Sequence, residues 1–320
     1  MRNVGKPLWR ILTQIKSKFD FGGNSINMWI ILLIAIVFSN LNYLFLHKFG
    51  NKDIKSTSDI LLFNSMISLI WAVIIFIISI NGNGGFVMPS AGAIFYGTLY
   101  GINLSVFLLF KMLSLTSGPI SITSLIASGS FIVATIFSVI YNNESINAFK
   151  VIGMVVLLFS FFLCMDRKNN TLVATKNWKY YVTIFFFAGG MIGIINKLFQ
   201  SSNAKTEMDS MLLVASFVSA FVLAVMAFIL GGVKKTGVPK IYKSGIVYII
   251  ACGLVSCIYN RLNVYLAGVM DGALLFPISN GTLLLLNNVT GILLFKERLT
   301  KVQIVGMIIG LLSIVMIGCF

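Results

Sequence analysis

Ionisable and amide side chains are rare inside the apolar runs of this chain, so those that occur are where chemistry is to be sought. Arg261 stands in Tyr259-Asn260-Arg261-Leu262-Asn263-Val264-Tyr265, the most polar stretch within any long apolar run. A charge deep in hydrocarbon costs a few kcal/mol unless it is paired or wetted. Arg261 therefore reads either as an arginine satisfied by backbone carbonyls or as a group that engages a carboxylate or phosphate on a solute, and the second reading is favoured. Helical spacing puts Asn260 and Asn263 on one side, with Tyr259 close to Asn263. Lys197 follows Asn196 near the end of one run, as Lys48 follows His47 near the end of another; each lysine is a snorkelling group or a cation of the pathway. Ser39-Asn40-Leu41-Asn42-Tyr43 places two amides in an apolar helix, where they must face other helices rather than lipid. Pro119 and Pro277 open two further runs, and proline is tolerated in the first helical turn. The polar residues that follow, among them Ser121, Thr123, Ser279, Asn280 and Thr282, would then sit at a helix N-terminus, the end that favours anionic or carbonyl groups, or serve as plain caps. The candidate substrate contacts are Asn40, Asn42, Tyr43, Tyr100, Asn103, Asn196, Lys197, Tyr259, Arg261, Asn263 and Asn280.

What is missing narrows the chemistry. All nine acidic residues (Asp20, Asp53, Asp59, Glu144, Asp166, Glu207, Asp209, Asp271, Glu297) lie in loops or at the ends of apolar runs. Exchange of protons for a cationic drug calls for a buried carboxylate, and His47, the one histidine, is a poor relay on its own. Fixed positive charge without fixed negative charge favours an anionic or zwitterionic solute, although neutral polar solutes also fit. Cys164, Cys252, Cys257 and Cys319 show no C-x-x-C spacing, so no metal site and no disulfide framework are expected. No cofactor motif and no phosphate-binding Gly-x-x-x-x-Gly-Lys-(Ser/Thr) run occurs. An enzyme would need a nucleophile, a metal cluster or an acid/base pair, and none is in view.

These side chains must be held by membrane helices. The chain of 320 residues is 58% hydrophobic and only 10% charged, with mean hydropathy +0.96; no single soluble core could bury that much apolar surface. The net charge of +15 is explained by lipid and topology rather than by nucleic acid. Ten runs are long enough to span a bilayer: 28–47, 59–80, 91–112, 119–141, 147–165, 179–199, 210–230, 244–268, 272–295 and 301–319. Before them, residues 1–27 form a basic segment whose Leu8, Ile11, Leu12, Ile15 and Phe19 share one stripe, either an amphipathic surface helix or a disordered tail.

The runs repeat. Gly118-Pro119-Ile120-Ser121 is echoed by Phe276-Pro277-Ile278-Ser279, each copy closes at a glutamate (Glu144, Glu297), and Gly153-Met154 and Gly306-Met307 follow nine residues later. Asp59 and Asp209 open matching runs, and Asn103 and Arg261 stand sixteen residues before the matched prolines. Residues 28–165 and 179–320 thus form two five-helix halves joined by a linker at 166–178. Five is odd, so the halves are inverted and a substrate site falls between them near the bilayer midplane. The expected fold is an all-α integral membrane protein, ten transmembrane helices arranged as two inverted five-helix repeats.

The ten runs, the duplication and the segment from Glu297 through Leu299, Thr300 and Gln303 to Gly306 resemble the drug/metabolite transporter superfamily, in particular its ten-helix EamA type. In that type the last two helices are joined by Glu-x-Leu-(Ser/Thr)-x-x-Gln-x-x-Gly. The first-half copy, Glu144 to Gly153, has Lys150 where the glutamine would stand. The resemblance implies export or exchange of small metabolites and both termini in the cytoplasm. The odd-numbered loops, however, carry fourteen Lys and Arg against seven on the other side, which by the positive-inside rule places the termini outside.

The leading expectation is a secondary transporter in the cytoplasmic (plasma) membrane that moves a small polar metabolite by alternating access. Its partners would be that small-molecule substrate and membrane lipid, not nucleic acid, and the protein would be a monomer or homodimer. The alternatives are an exporter of amphipathic amines or drugs along an aromatic lining (Tyr43, Tyr96, Tyr100, Tyr259, Tyr265) and, from another class, a non-transporting sensor or scaffold.

Overall fold

A computed structural model describes residues 25–53, 57–83, 85, 87–118, 120–144, 146–164, 175–231, 243–295 and 300–319. The amphipathic segment up to residue 24, most of the linker, Pro119, Glu297 and the side chains of Tyr43 and Lys48 lie outside the described residues. Regular structure among the described residues is entirely helical. In chain order the α-helices are α1 (Ser25–Asp53), α2 (Thr57–Asn83), α3 (Ala91–Ser117), α4 (Ile120–Ser128), α5 (Phe131–Asn142), α6 (Ala148–Cys164), α7 (Trp178–Ser201), α8 (Met208–Gly231), α9 (Lys243–Val269), α10 (Gly272–Phe295) and α11 (Lys301–Cys319), with a 3₁₀ turn at Lys205–Glu207. Helix is what an apolar run must adopt where no water can satisfy the backbone. Among the described residues eight stretches are long and apolar enough to cross a membrane, while Met28–Asn42 and Ala148–Cys164 are shorter apolar helices. The chain is a multi-pass membrane protein.

Two runs depart from the expected form. The fourth is broken at Gly129–Ser130. There the Gly129 amide is shared between Leu125 O and Ile126 O (both 3.1 Å), and the Ser130 amide tightens onto Ala127 O (3.0 Å). Helix α7 presses on the break through Gly189 and Gly190. An added methyl group would meet Ser130 Oγ at 2.9 Å at the first glycine and the Ser130 carbonyl at 3.0 Å at the second. Pro277, in turn, does not open its helix. Helix α10 begins at Gly272, where the Asp271 carbonyl accepts the amides of Leu274 (3.0 Å) and Leu275 (2.8 Å). Proline therefore sits within the helix and leaves the carbonyl four residues earlier, on Ala273, without its helical partner.

The joint before α11 shows why its motif has that spacing. Thr300 Oγ1 accepts the Gln303 amide (3.3 Å), and Gln303 Oε1 accepts the Thr300 amide (2.8 Å), a reciprocal capping box. Gln303 Nε2 also reaches Cys164 O at the end of α6 (3.4 Å). At the start of α6, Asn147 Oδ1 accepts the Lys150 amide (2.8 Å), but a lysine has no acceptor with which to complete the box.

Packing divides into two main apolar clusters. Ile31, Leu32, Phe131, Leu157, Leu266 and Phe276 belong to the first, joining α1, α5, α6, α9 and α10. Trp71, Tyr100, Phe199, Met211, Leu212 and Val264 belong to the second, joining α2, α3, α7, α8 and α9. Helix α9 enters both. Apolar side chains left exposed, such as Leu33, Phe95, Phe159, Phe221 and Leu311, coat the bundle as expected where lipid is the solvent. Helix α3 packs its glycines directly on the backbone of α8. A Cβ on Gly97 would lie 2.6 Å from Met211 O, and one on Gly101 2.5 Å from Ala215 O; neither backbone carbonyl can step aside. Gly101→Ala is expected to destabilise the purified protein by about 1–3 kcal/mol in thermal unfolding. Gly85→Ala, with nothing within 4 Å, should leave the melting temperature unchanged.

Candidate functional site

Most of the amides that the sequence marks out are used between helices. Asn40, 4% exposed, donates from α1 to Asn287 Oδ1 (2.7 Å) and Thr290 Oγ1 (3.3 Å) on α10. Asn42 donates to Ser256 Oγ (2.5 Å) and Cys252 O (3.4 Å) on α9. Asn103 donates to Ala188 O on α7 (3.0 Å), beside the two glycines that face the break in the fourth run. Two others turn back on their own helix: Asn263 Nδ2 to Tyr259 O (3.1 Å) and Asn280 Nδ2 to Phe276 O (2.9 Å). Asn280 thus lies in the body of α10 rather than at a helix N-terminus, because the helix starts at Gly272. The Tyr259 hydroxyl is hydrogen-bonded with Ser39 and Asn263. Across the second cluster, buried Tyr100 donates to Asn260 Oδ1 (2.7 Å), so Asn260 points to α3 while Asn263 stays on the side of Tyr259.

The charged candidates differ from expectation. Lys197, on α7, neither snorkels nor stands alone: its ammonium donates to Glu144 Oε1 (2.9 Å) and to Met270 O (2.7 Å). The side chains of Lys197 and Glu144 are 7% and 6% exposed. Glu144 gets there because Asn143 takes a left-handed conformation, φ 52°, and turns the chain under α10. Its Oε1 accepts Ser138 Oγ (2.5 Å) and Asn142 Nδ2 (3.4 Å), and its Oε2 accepts the Ala273 amide (3.0 Å). A first-half carboxylate thereby caps a second-half helix. Burial alone would raise the Glu144 carboxyl, but hydrogen bonds from Ser138, Gly272, Lys197 and Ala273 outweigh it and hold it at about 2. The reverse contact exists as well: Glu207 Oε2 accepts the amide of Ser90 (2.9 Å), whose Oγ caps α3.

Arg261 is also paired. Its Nε and Nη2 hold the two Asp209 oxygens at 2.9 and 3.1 Å in a bidentate bridge, with side chains 40% and 26% exposed. The expectation of fixed positive charge without negative charge is therefore corrected: both cations carry a carboxylate counter-charge, supplied by helix ends or turns far away in sequence. Asp209 and Glu144 escape sequence reasoning because a carboxylate at the end of an apolar run looks solvated until its neighbours are known.

One candidate is left open-handed. Asn196, 3% exposed, has an Oδ1 without a hydrogen-bond partner among the described residues. It lies one helical turn from Ile192 and Phe199, which pack beside Tyr100, and one turn from Gly193, which meets Ala134 and Phe276. Thr135, next to Ala134 and 3% exposed, has an equally unpartnered Oγ1. Asn196 thus lies where α5, α7 and α10 meet, beside the cluster that holds Tyr100.

No family model matches the chain, and no curated protein matches it. Solved structures do share its fold: one crystal structure aligns with a TM-score of 0.70 over 92% of this chain and 96% of the other, at 12% identity. At that identity the likeness concerns the fold alone.

Because the folded Glu144 carboxyl lies below its ordinary 4.5, the stability it contributes is present above about pH 4.5 and is lost as pH falls toward 2. Glu144→Gln or Lys197→Met alone should cost about 3–5 kcal/mol by leaving the other group buried and unpaired. The double variant should melt above either single one. Additive losses in thermal unfolding would show that the pair does not act as a unit.

Proposed function

We propose that this chain is a secondary transporter of a small polar solute, working by alternating access between two inverted five-helix halves. The observation that carries the reading is Asn196, whose buried Oδ1 has no partner among the described residues, at a junction of helices from the two halves. An unpaired buried carbonyl is costly, on the order of 1–3 kcal/mol, and a hydrogen-bond donor on a passing solute relieves that cost. The packing supports the repeat. Exchanging α1 with α7, α2 with α8, α3 with α9, α5 with α10 and α6 with α11 turns the pair α1–α9 into α7–α3, α2–α9 into α8–α3, and α1–α10 into α7–α5, all of which are in contact. The pairs α2–α8, α5–α10 and α6–α11 map onto themselves. The tightened turn at Gly129–Ser130 lies where Gly189 and Gly190 of α7 press on it, a contact between the two proposed halves.

Charge then refines the solute. With Lys197 and Arg261 each neutralised by a carboxylate, no unpaired cation is left among these candidates to select an anion, so a zwitterionic or neutral polar solute is favoured. Its contacts would be Asn196, Thr135, Tyr100 and Asn260, with Asn103 at the flank. The capping box at Thr300–Gln303 and the eight helices of spanning length among the described residues support membership of the EamA-type drug/metabolite transporters, residing in the cytoplasmic membrane.

Counterflow of labelled zwitterionic, neutral and anionic solutes in proteoliposomes tests this reading. Saturable uptake of a zwitterionic or neutral solute is expected, falling roughly tenfold or more in Asn196→Leu as one hydrogen bond is lost. Saturable transport confined to anions, or no change in Asn196→Leu, would reject the assignment.

A further inference from the structure

The first turn of α10 is set apart from the rest of its helix. Pro277 lies inside the helix and has no N–H, so residues 272–276 are joined to the helix body by one hydrogen bond fewer. Their neighbours differ as well. Before the proline, a Cβ on Gly272 would lie 2.5 Å from Ser138 Cβ of α5, and the Phe276 ring stands 2.8 Å from the place of a Cβ on Gly193 of α7. Beyond the proline, a Cβ on Gly281 would meet Leu157 of α6 at 3.1 Å and Ile314 of α11 at 3.2 Å. Pro277 stands where α10 passes from one set of neighbours to the other, and proline is where helices bend.

Charged groups fasten this turn at its outer end. Glu144 Oε2 accepts the Ala273 amide (3.0 Å), and Lys197 Nζ donates to the Met270 carbonyl just ahead of the helix (2.7 Å). The same two side chains hold each other at 2.9 Å. Along α7 the turn is therefore held at two places: at Lys197, and one helical turn earlier at Gly193, where Phe276 packs. Asn196 lies between these two holds. It is 3% exposed, and its Oδ1 has no partner among the described residues.

We propose that residues 272–276 form a hinged cap over Asn196, with Pro277 as the hinge and the Glu144–Lys197 pair as the latch. While the latch is made, Phe276 stays against Gly193 and Asn196 is shut off from water. When Glu144 lets go of the Ala273 amide, the turn swings about Pro277, Phe276 leaves Gly193, and Asn196 is uncovered. The latch joins the two proposed halves, since Glu144 belongs to the first, and Lys197 and α10 to the second. The cap governs access to the site proposed for the solute, and in that respect it rests on that reading.

Hydrogen–deuterium exchange of the purified full chain in detergent reads the cap directly. Glu144→Gln should speed exchange at the amides of Ala273, Leu274, Leu275 and Phe276 roughly tenfold, the worth of one charge-assisted hydrogen bond, and leave residues 281–286 unchanged. Pro277→Ala supplies the missing donor to the Ala273 carbonyl and should slow exchange at the same four amides. Access is read in Asn196→Cys with the water-soluble cationic reagent 2-(trimethylammonium)ethyl methanethiosulfonate, peptide mass spectrometry locating the product. Modification at position 196 should be roughly tenfold faster when Glu144→Gln is added and slower when Pro277→Ala is added. Exchange that rises alike along the whole of α10, or modification at position 196 that Glu144→Gln leaves unchanged, would overturn the proposal. Should Glu144→Gln fail to fold, Pro277→Ala decides alone, and unaltered exchange and modification in it would overturn the proposal. Neither readout involves a solute, so a failure of the cap and a failure of transport are seen separately.

Discussion

A carboxylate taken out of water must recover its solvation from donors held in place around it, and Glu144 shows how much structure that requires. Ser138 and Asn142 come from the helix that ends beside it, Lys197 from α7, and the amides of Gly272 and Ala273 from the start of α10. Three elements remote in sequence must arrive together or the charge is left bare. The helix dipole adds to the effect, since an anion at a helix N-terminus is favoured. Glu207 repeats the device in the other direction, from the second half onto the amide of Ser90 at the start of α3. The two halves thus exchange carboxylates at this end of the bundle, and every chain segment that positions Asn196 is anchored by one of these contacts or packs on an element that is.

Neutralisation has a functional corollary. A site whose cations were bare would draw anions by charge alone. With Lys197 and Arg261 each matched by a carboxylate, selection by the transporter proposed above would fall to hydrogen-bonding geometry. Buried polar groups left partly unpaired reject solutes that cannot pair with them. In that proposal Asn196, one helical turn from Phe199 in the cluster with Tyr100, would act in that way. One ion pair is sealed between helices, its side chains 7% and 6% exposed, and the other is partly exposed, at 40% and 26%.

Much of the fold was legible in the chain. Apolar runs of spanning length became helices because lipid leaves the backbone no other partner, and the joint expected near Thr300 and Gln303 is a helix start because two residues between them is the spacing of a capping box. The broken fourth run was less legible. Glycine followed by serine is common in membrane helices, and what sets Gly129–Ser130 apart is the approach of Gly189 and Gly190 from α7. Pro277 misled for a related reason. Proline signals a helix start in isolation, yet here the Asp271 carbonyl begins the helix six residues earlier.

The site divides along the same line. Residue type and periodicity alone established that Asn40, Asn42, Tyr100, Asn103, Asn196 and Lys197 sit in apolar helices and therefore need partners, since a polar group in hydrocarbon has no solvent to fall back on. Which partner each would find is a matter of contacts between residues up to 250 positions apart. Tertiary structure alone decided that Lys197 meets Glu144, that Arg261 meets Asp209, and that Asn196 Oδ1 finds no partner among the described residues. The need for a hydrogen bond is a property of the residue and its medium; its satisfaction depends on how helices cross, and no local pattern in the chain encodes that.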